Sequence, residues 1–313
     1  MEQDKTSTVL AGIDVGKFRL DAAIGGSTHA LGVDNDADGI GSLLDWFRAH
    51  GVTRVGMEAT GGFERPVRLA LEAEGIAVVL HQPAEVKAYG RLSRQRAKTD
   101  PADARLIAAA TAVIDRPARP ADPALIGLGE RLTAYEQIAD QLMELRTFRQ
   151  SLSLPDLIGL IDLQIAALKA LKQTLARTLL DAIKACAALR RRYELLTSLP
   201  GIGPIVAISL LVRMPELGHM QRGQAASLLG VAPHARESGQ WKGQRFIAGG
   251  RSRPRRMIYL AALAARRHDK TLNAFADRLS ARGKPPKLAI VAVMRKLIEA
   301  ANLVLKRQRP WSP

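Results

Sequence analysis

The sequence predicts an α/β protein: a mixed sheet with packed helices at the N-terminal end, long amphipathic helices in the middle, and a mostly helical C-terminal region. Three observations predict it. Short β-rich runs (VLAGIDV, FRLDAAIG, THALGV) lead into alternating helical and strand patterns that end at IAVVL. Leu157, Ile161, Leu168, Leu171, Leu175 and Leu179, with Ile158, Ile165 and Ile183, recur at three- and four-residue steps. From Leu195 onward the pattern is helical again, broken by a glycine-rich stretch from Glu237 to Arg253. The expected domains are residues 8–124, 125–194 and 195–313.

Taken in order, the three β-rich runs fill residues 9–34, and Ile40, Leu43, Leu44 and Phe47 give residues 37–50 the spacing of one helical face. A strand at RVGME follows, then a helix from Phe63 to Ala73 with Pro66 near its start, then Gly75 and the strand IAVVL. The next helix covers Asp103 to Ile114. The leucine-rich middle reads as an antiparallel helix pair turning near Ser153-Leu154-Pro155, its stripe serving either the chain's own core or an oligomer interface.

At 313 residues, 47% of them hydrophobic, the chain can bury a substantial core. The single Cys186 leaves no internal disulfide and no Cys-rich zinc site. The N-terminus MEQDKTSTVL lacks the pattern of a signal peptide, and no stretch has about 20 continuous apolar residues. A cytoplasmic protein with no membrane partner is expected.

Charge is unevenly placed. The formal net charge is +16, and from Val231 to Pro313 there are 19 Lys and Arg against 4 Asp and Glu. Concentrated positive charge of this kind is the footprint expected for phosphate backbones; a basic solvated surface is the plainer alternative. With aromatics at 4%, a membrane-surface helix is disfavoured.

Four carboxylates stand out: Asp14 in the first strand, Glu58 at the end of a later one, and Asp100 with Asp103 at the start of a helix. Asp100 and Asp103 are three apart, so they share one side of a first helical turn, with Thr99 placed to cap it and Pro101 at an early position. Carboxylates converge only around something cationic, and a divalent metal set against phosphate oxygens is the leading explanation. Each signal alone has a plainer reading: Asp14 as a turn carboxylate, Glu58 in a polar strand-to-helix turn, Asp100 as a cap, Asp103 paired with Arg105. An actin-like ATPase or sugar kinase also opens with a strand ending Ile-Asp-Val-Gly, but the basic half offers no Walker-type loop or second nucleotide lobe.

In the second half, LLTSLPGIGPIVA resembles a helix-hairpin-helix element, in which Gly201 and Gly203 permit a tight turn and expose backbone N–H groups to a phosphate. A Pro-Gly turn between two packed helices is the alternative. Farther on, Ser238 lies among Arg236, Lys242, Arg245, Arg251, Arg253, Arg255 and Arg256. A serine hydroxyl can attack a phosphodiester when it is deprotonated and the developing charge is neutralised; Ser252 is a second candidate, and a turn hydroxyl is the plainer one. His234 suits phosphate or loop backbone better than metal, having no ligand cluster around it.

These motifs, in this order, resemble the DEDD transposases of the IS110-like insertion-sequence family (the IS110/IS1111 group), relatives of the Piv invertase that include bridge-RNA-guided recombinases. IDVGK (13–17), MEATG (57–61) and KTDPADA (98–104) match its ribonuclease-H/RuvC-like domain. LPGIG (199–203), ESG (237–239), GGR (249–251) and RRMIYL (255–260) match its transposase domain. The resemblance covers nearly the whole chain. It implies a RuvC-like DEDD catalytic domain over residues 8–124, a helical coiled-coil linker over 125–194 and a transposase domain over 195–313. It implies Asp14, Glu58, Asp100 and Asp103 as ligands of Mg²⁺ (or Mn²⁺), Ser238 as covalent nucleophile, and Lys98 among the nucleic-acid contacts. Donor and target DNA, a structured guide (bridge) RNA and a dimer or tetramer on nucleic acid are its implied partners, in a prokaryotic, nucleoid-associated setting. A RuvC-like junction endonuclease using metal-activated water, and a non-catalytic DNA/RNA-binding scaffold, are the alternatives.

Overall fold

The computed structural model describes residues 8–93, 100–114, 122–235, 237–238, 241–243 and 245–312. The chain divides into two compact units, Met1–Ala121 and Asp122–Pro313.

The first unit is built on a five-stranded sheet. Strands β1 (Val9–Val15), β2 (Arg19–Ile24) and β3 (Ala30–Asp34) form an antiparallel meander. Strands β4 (Val52–Glu58) and β5 (Ala77–His81) extend it in parallel from the other side of β1, giving the order β3-β2-β1-β4-β5. Three antiparallel strands followed by two parallel ones is an arrangement consistent with a ribonuclease-H-like fold. Parallel neighbours need crossover helices, and α1 (Ala37–Ala49) and α2 (Arg65–Ala73) supply them. The side chain of Asp36 caps α1 by accepting from the Gly39 N–H. Ile40, Leu43 and Phe47 of α1 and Val67 and Leu71 of α2 pack with Ala11, Ile13, Val15, Val55 and Met57 in one apolar core. Helix α2 begins at Arg65, two residues later than Phe63, because Glu64 is used in the loop before it.

Helix α3 (Pro83–Leu92) follows β5, and α4 (Asp100–Val113) lies against β1, β2 and β4. Gly12 of β1 and Gly56 of β4 are a registered pair, and both face α4. A Cβ on Gly12 would lie 2.2 Å from the Ala104 carbonyl oxygen and 2.4 Å from the Ala108 nitrogen; one on Gly56 would lie 1.8 Å from Thr111 Oγ1. At Gly12 backbone thus meets backbone, and at Gly56 the space is taken by the Thr111 and His81 side chains.

The second unit opens with α5 (Pro123–Arg149) and α6 (Pro155–Ala185), the long antiparallel pair expected from the leucine spacing. Arg149 pairs with Asp162 across the turn. The stripe on α6 divides: Ile165, Leu179 and Ile183 are buried, whereas Leu157, Leu160, Leu163 and Leu171 are exposed. Helices α7 (Ala187–Thr197), α8 (Pro204–Arg213), α9 (Gln224–Leu229), α10 (Ser252–His268), α11 (Lys270–Ala281) and α12 (Pro286–Arg307) complete the unit. Leu195, Leu199, Ile208, Ile258, Val293 and Leu297 are among the side chains of its core, which also takes in Leu179 and Ile183 of α6.

The glycine-rich stretch carries two short antiparallel ladders. β6 (Pro233–His234) pairs with β9 (Phe246–Ile247), and inside them β7 (Glu237–Ser238) pairs with β8 (Trp241–Lys242). No helix of the described residues is long and apolar enough to cross a membrane.

Candidate active site

Side chains alternate along a strand, so Asp14 and Glu58, each two residues beyond a glycine that faces α4, point to the face that α4 covers. Both lie toward the carboxyl ends of their strands, and those strands are parallel neighbours. Helix α4 brings its first turn, with Asp100 and Asp103, to this edge, because Ala104 sits on Gly12 and Thr111 farther back sits on Gly56. The close approach of helix to sheet therefore sets Asp103 near the edge that carries Asp14 and Glu58.

Their mutual influence is visible on Glu58. Its carboxyl is held above the ordinary glutamate value of 4.5 by partial burial first, then by the negative charges of Asp14 and Asp103, with Lys87 of α3 opposing. Asp14 and Asp103 thus both act on Glu58 at one sheet edge, which also lies at the positive end of α4. Among the described residues no three His, Cys, Asp or Glu side chains stand close enough to hold a metal ion as they are. The Asp100 side chain lies outside the described set. The donor set suits a hard divalent cation, since every member offers carboxylate oxygen.

The pairing of Asp103 with Arg105 does not form; Arg105 donates instead to the Thr28 carbonyl, 3.1 Å away. Asp21, opposite Asp14 in the ladder, is paired with Arg19 at 3.1 Å. Thr99 and Lys98 lie outside the described residues.

Supporting groups that the sequence did not advertise lie behind the site. His81, fully buried at the end of β5, shares a 2.8 Å hydrogen bond with Thr111 of α4, and Thr111 Oγ1 in turn donates to the Ile107 carbonyl. With that hydroxyl proton already used, His81 Nε2 is the donor to Thr111, and burial pushes the imidazole pKa below its ordinary value. His81 is also registered beside Glu58, so this bond ties the helix carrying Asp103 to the strand next to Glu58. The loop after Glu58 is fixed by Glu64, whose carboxylate accepts from the Thr60 and Gly62 N–H groups and the Thr60 hydroxyl. Burial raises the Glu64 pKa, and these hydrogen bonds outweigh it and hold the group below its ordinary value.

In the second unit Ser238 sits on β7, registered opposite Trp241, and Lys242 lies opposite Glu237. The side chains of Ser238 and Lys242, and all of Arg236, lie outside the described set. Arg245 is exposed. The other arginines of this segment have partners within the chain. Arg251 forks onto Glu216 at 2.6 and 2.7 Å and also donates to the Arg213 carbonyl. Arg253 and Arg256 share Asp140 of α5, at 2.5 and 2.8 Å. Arg255 donates to the Gly230 and Gly249 carbonyls. These bonds anchor the start of α10, and for Arg253 and Arg256 they use carboxylates where a phosphate would bind equally well. Gly201 adopts a positive φ of 77°, and a Cβ there would lie 2.2 Å from the Ala261 carbonyl oxygen, so the turn between α7 and α8 packs directly on α10. Gly203 is the N-terminal cap residue of α8, with open space around it.

Comparison with known proteins agrees with both halves. Residues 11–154 match a family described as Transposase, the DEDD transposases of IS110, and residues 193–277 match the Transposase IS116/IS110/IS902 family. A pilin gene-inverting protein of Moraxella bovis is 27% identical over 97% of this chain and 98% of its own length. That of Moraxella lacunata is 27% identical with the same coverage. An insertion element IS110 uncharacterized 43.6 kDa protein of Streptomyces coelicolor is 31% identical over 36% of this chain and 28% of its own. With a mixed sheet presenting carboxylates, a helical second half and family matches to both, this chain belongs to the IS110-like DEDD transposases.

Proposed function

We propose that this chain cuts and rejoins DNA strands for a mobile element, with Asp14, Glu58, Asp100 and Asp103 holding Mg²⁺ (or Mn²⁺) and Ser238 as the nucleophile. Family membership supports transposase or recombinase activity in general and a metal-dependent chemistry. The observation that supports the finer reading is the placement of Asp14 and Glu58 toward the carboxyl ends of parallel neighbouring strands under α4, where burial first and then Asp14 and Asp103 raise the Glu58 pKa. A folded protein keeps like charges together where a cationic ligand repays the cost. When bound, a divalent ion supplies the charge that neutralises phosphate oxygens during displacement.

The chain's own residues then divide the work. The four acids orient the ion; Lys87 and the N-terminal end of α4 favour an anionic group at the same edge. Ser238 Oγ attacks the phosphorus, a P–O bond to the serine forms as the bond to one sugar oxygen breaks, and the freed sugar oxygen takes the proton. The reverse attack by a sugar hydroxyl of another strand restores both the DNA and the serine, so no external energy source is needed. In this division residues 8–124 hold the carboxylates, 125–194 link and space, and 195–313 carry the serine.

Donor and target DNA are the substrates. Arg245, Lys242, Arg236, Lys98, the turn at Gly201 and Gly203 and the arginines beginning α10 contribute phosphate contacts. A structured bridge RNA chooses the sites by base pairing, and the leucines left exposed on α6 help build a dimer or tetramer on nucleic acid. The test is a denaturing gel of reactions on the native element ends. Wild type gives a protein–DNA adduct, Ser238→Ala binds DNA without one, and free nicks with no adduct from wild type would replace this mechanism by hydrolysis.

A further inference from the structure

The edge that carries Asp14 and Glu58 also carries two exposed aromatic rings. Phe18, in the turn between β1 and β2, is 74% exposed, and Phe63, in the loop after β4, is 45% exposed. Aromatics make up only 4% of the chain, so two of them standing in solvent at one sheet edge is a concentration. Burying a phenylalanine stabilises a fold, and here Phe18 forgoes most of that burial and Phe63 part of it.

Neither ring is on a loose segment. Asn35 bonds to both turns at once: its N–H donates to the Phe18 carbonyl at 2.9 Å, and its side-chain amide donates to the Gly16 carbonyl at 2.9 Å and the Phe63 carbonyl at 3.1 Å. Glu64 fixes the Phe63 loop from the other side through Thr60 and Gly62. The backbones of the two phenylalanines are therefore neighbours, held before any ligand arrives. Lys17 places its ammonium 4.8 Å from the Phe18 ring centre, so cation and aromatic face stand together. A nucleotide offers the complement of that pair, a flat base beside a phosphate.

We propose that Phe18 and Phe63 form a base-stacking subsite, which receives an unpaired nucleobase of the DNA strand next to the carboxylate edge while Lys17 meets its phosphate. The proposal rests on reading that edge as the place where DNA is cut, and gives it a further preference for strands that are locally unpaired. Stacking is tolerant of base identity, so the subsite selects structure and leaves sequence to other parts.

The test uses the full-length protein in EDTA, so that no cleavage is required. The probe is a DNA duplex with a short single-stranded gap containing 5-iododeoxyuridine; a fully paired duplex is the control. Long-wavelength ultraviolet light should link the gap base to Phe18 or Phe63, as located by mass spectrometry. By fluorescence anisotropy, Phe18→Leu or Phe63→Leu should lower the preference for gapped over paired DNA by on the order of 5- to 150-fold, and Phe18→Trp should keep it. Links confined to other residues, or an unchanged preference in both leucine variants, would overturn the proposal. So would leucine variants that lose self-association in sedimentation while keeping the gap preference, which would make the rings a protein contact. Leucine variants that lose only binding to a single-stranded RNA of the same sequence would assign the rings to RNA and overturn the DNA subsite. Asp103→Asn separates the two readings: it should retain the link while losing strand cleavage, and full cleavage by that variant would count against the carboxylates alone.

Discussion

Replacing Gly12 with alanine sets a methyl group between β1 and α4 at a point with no room for it. The added carbon would lie 2.2 Å from the Ala104 carbonyl oxygen, 2.4 Å from the Ala108 nitrogen and 3.0 Å from the Ala108 Cα. All three are backbone atoms, so no side chain can swing away; the helix must retreat by roughly 1 Å to restore ordinary contact. Overpacking of this kind costs about 1–3 kcal/mol, which urea unfolding would measure. The functional effect should be larger than that loss of stability suggests, because the retreat carries Asp103 away from Asp14 and Glu58. A displacement of about 1 Å at a reacting centre can cost roughly 100-fold in rate. Under conditions where the variant remains folded, strand cleavage should therefore fall by about that factor, and the Mg²⁺ concentration for half-activation should rise. Gly41→Ala is the matched control: it lies within α1 with nothing within 4 Å of its added carbon. It should stabilise the protein by about 0.5–1 kcal/mol and leave metal dependence alone. Wild-type cleavage with an unchanged Mg²⁺ midpoint in Gly12→Ala would refute the claim that close packing of α4 sets the carboxylate spacing.

Thr111→Val keeps the shape of the side chain but leaves the His81 imidazole without its partner, so it should lower the melting temperature, and Thr111→Ser should restore most of the loss. The raised Glu58 pKa means that the ionised group opposes folding once pH exceeds its folded-state pKa, whereas below the ordinary value of 4.5 both states are protonated and the effect vanishes. In metal-free buffer Glu58→Gln should therefore melt higher than wild type at neutral pH, with the difference closing in acid, and added Mg²⁺ should stabilise wild type far more than the variant; calorimetry across pH reads both. The Asp140 pKa is pushed up by burial, but Arg253 and Arg256 outweigh this and hold it below its ordinary value of 3.8, so its contribution is present at neutral pH and lost as pH falls through the folded pKa. Asp140→Asn releases both arginines, and if they then reach phosphates the slope of log affinity against log salt should steepen by up to about 2, a change absent if they serve only the fold.

Much of this arrangement was readable because the carboxylates sit where strand and helix patterns end. Asp14 and Glu58 close apolar runs with strand character, and Asp100 and Asp103 open a helix, so the elements could be named and their acids placed at element ends. What brings those ends together was not readable. The Gly12–Gly56 register exists only because β1 and β4 are parallel neighbours, and a glycine in a strand gives no sign in sequence of which helix approaches it. His81 and Thr111 are 30 residues apart and look like an unremarkable strand histidine and helix threonine until the fold joins them.

The basic second half shows the opposite problem: its charge was plain and its partners were hidden. Arg253 and Arg256 find Asp140 across 113 and 116 residues of chain, and Arg251 finds Glu216 across 35. A count of lysines and arginines reports total charge, whereas phosphate affinity depends on the charge left after such pairs form. Positions that combine exposure with no carboxylate partner are therefore the better guide to nucleic acid. On the first unit Lys17, Lys87 and Arg91 are among the described residues that meet that criterion, and of these three Lys17 stands beside an aromatic face. A small number of placed cations beside stacking rings can orient a strand at the carboxylates, while the larger basic surface supplies affinity that is indifferent to sequence.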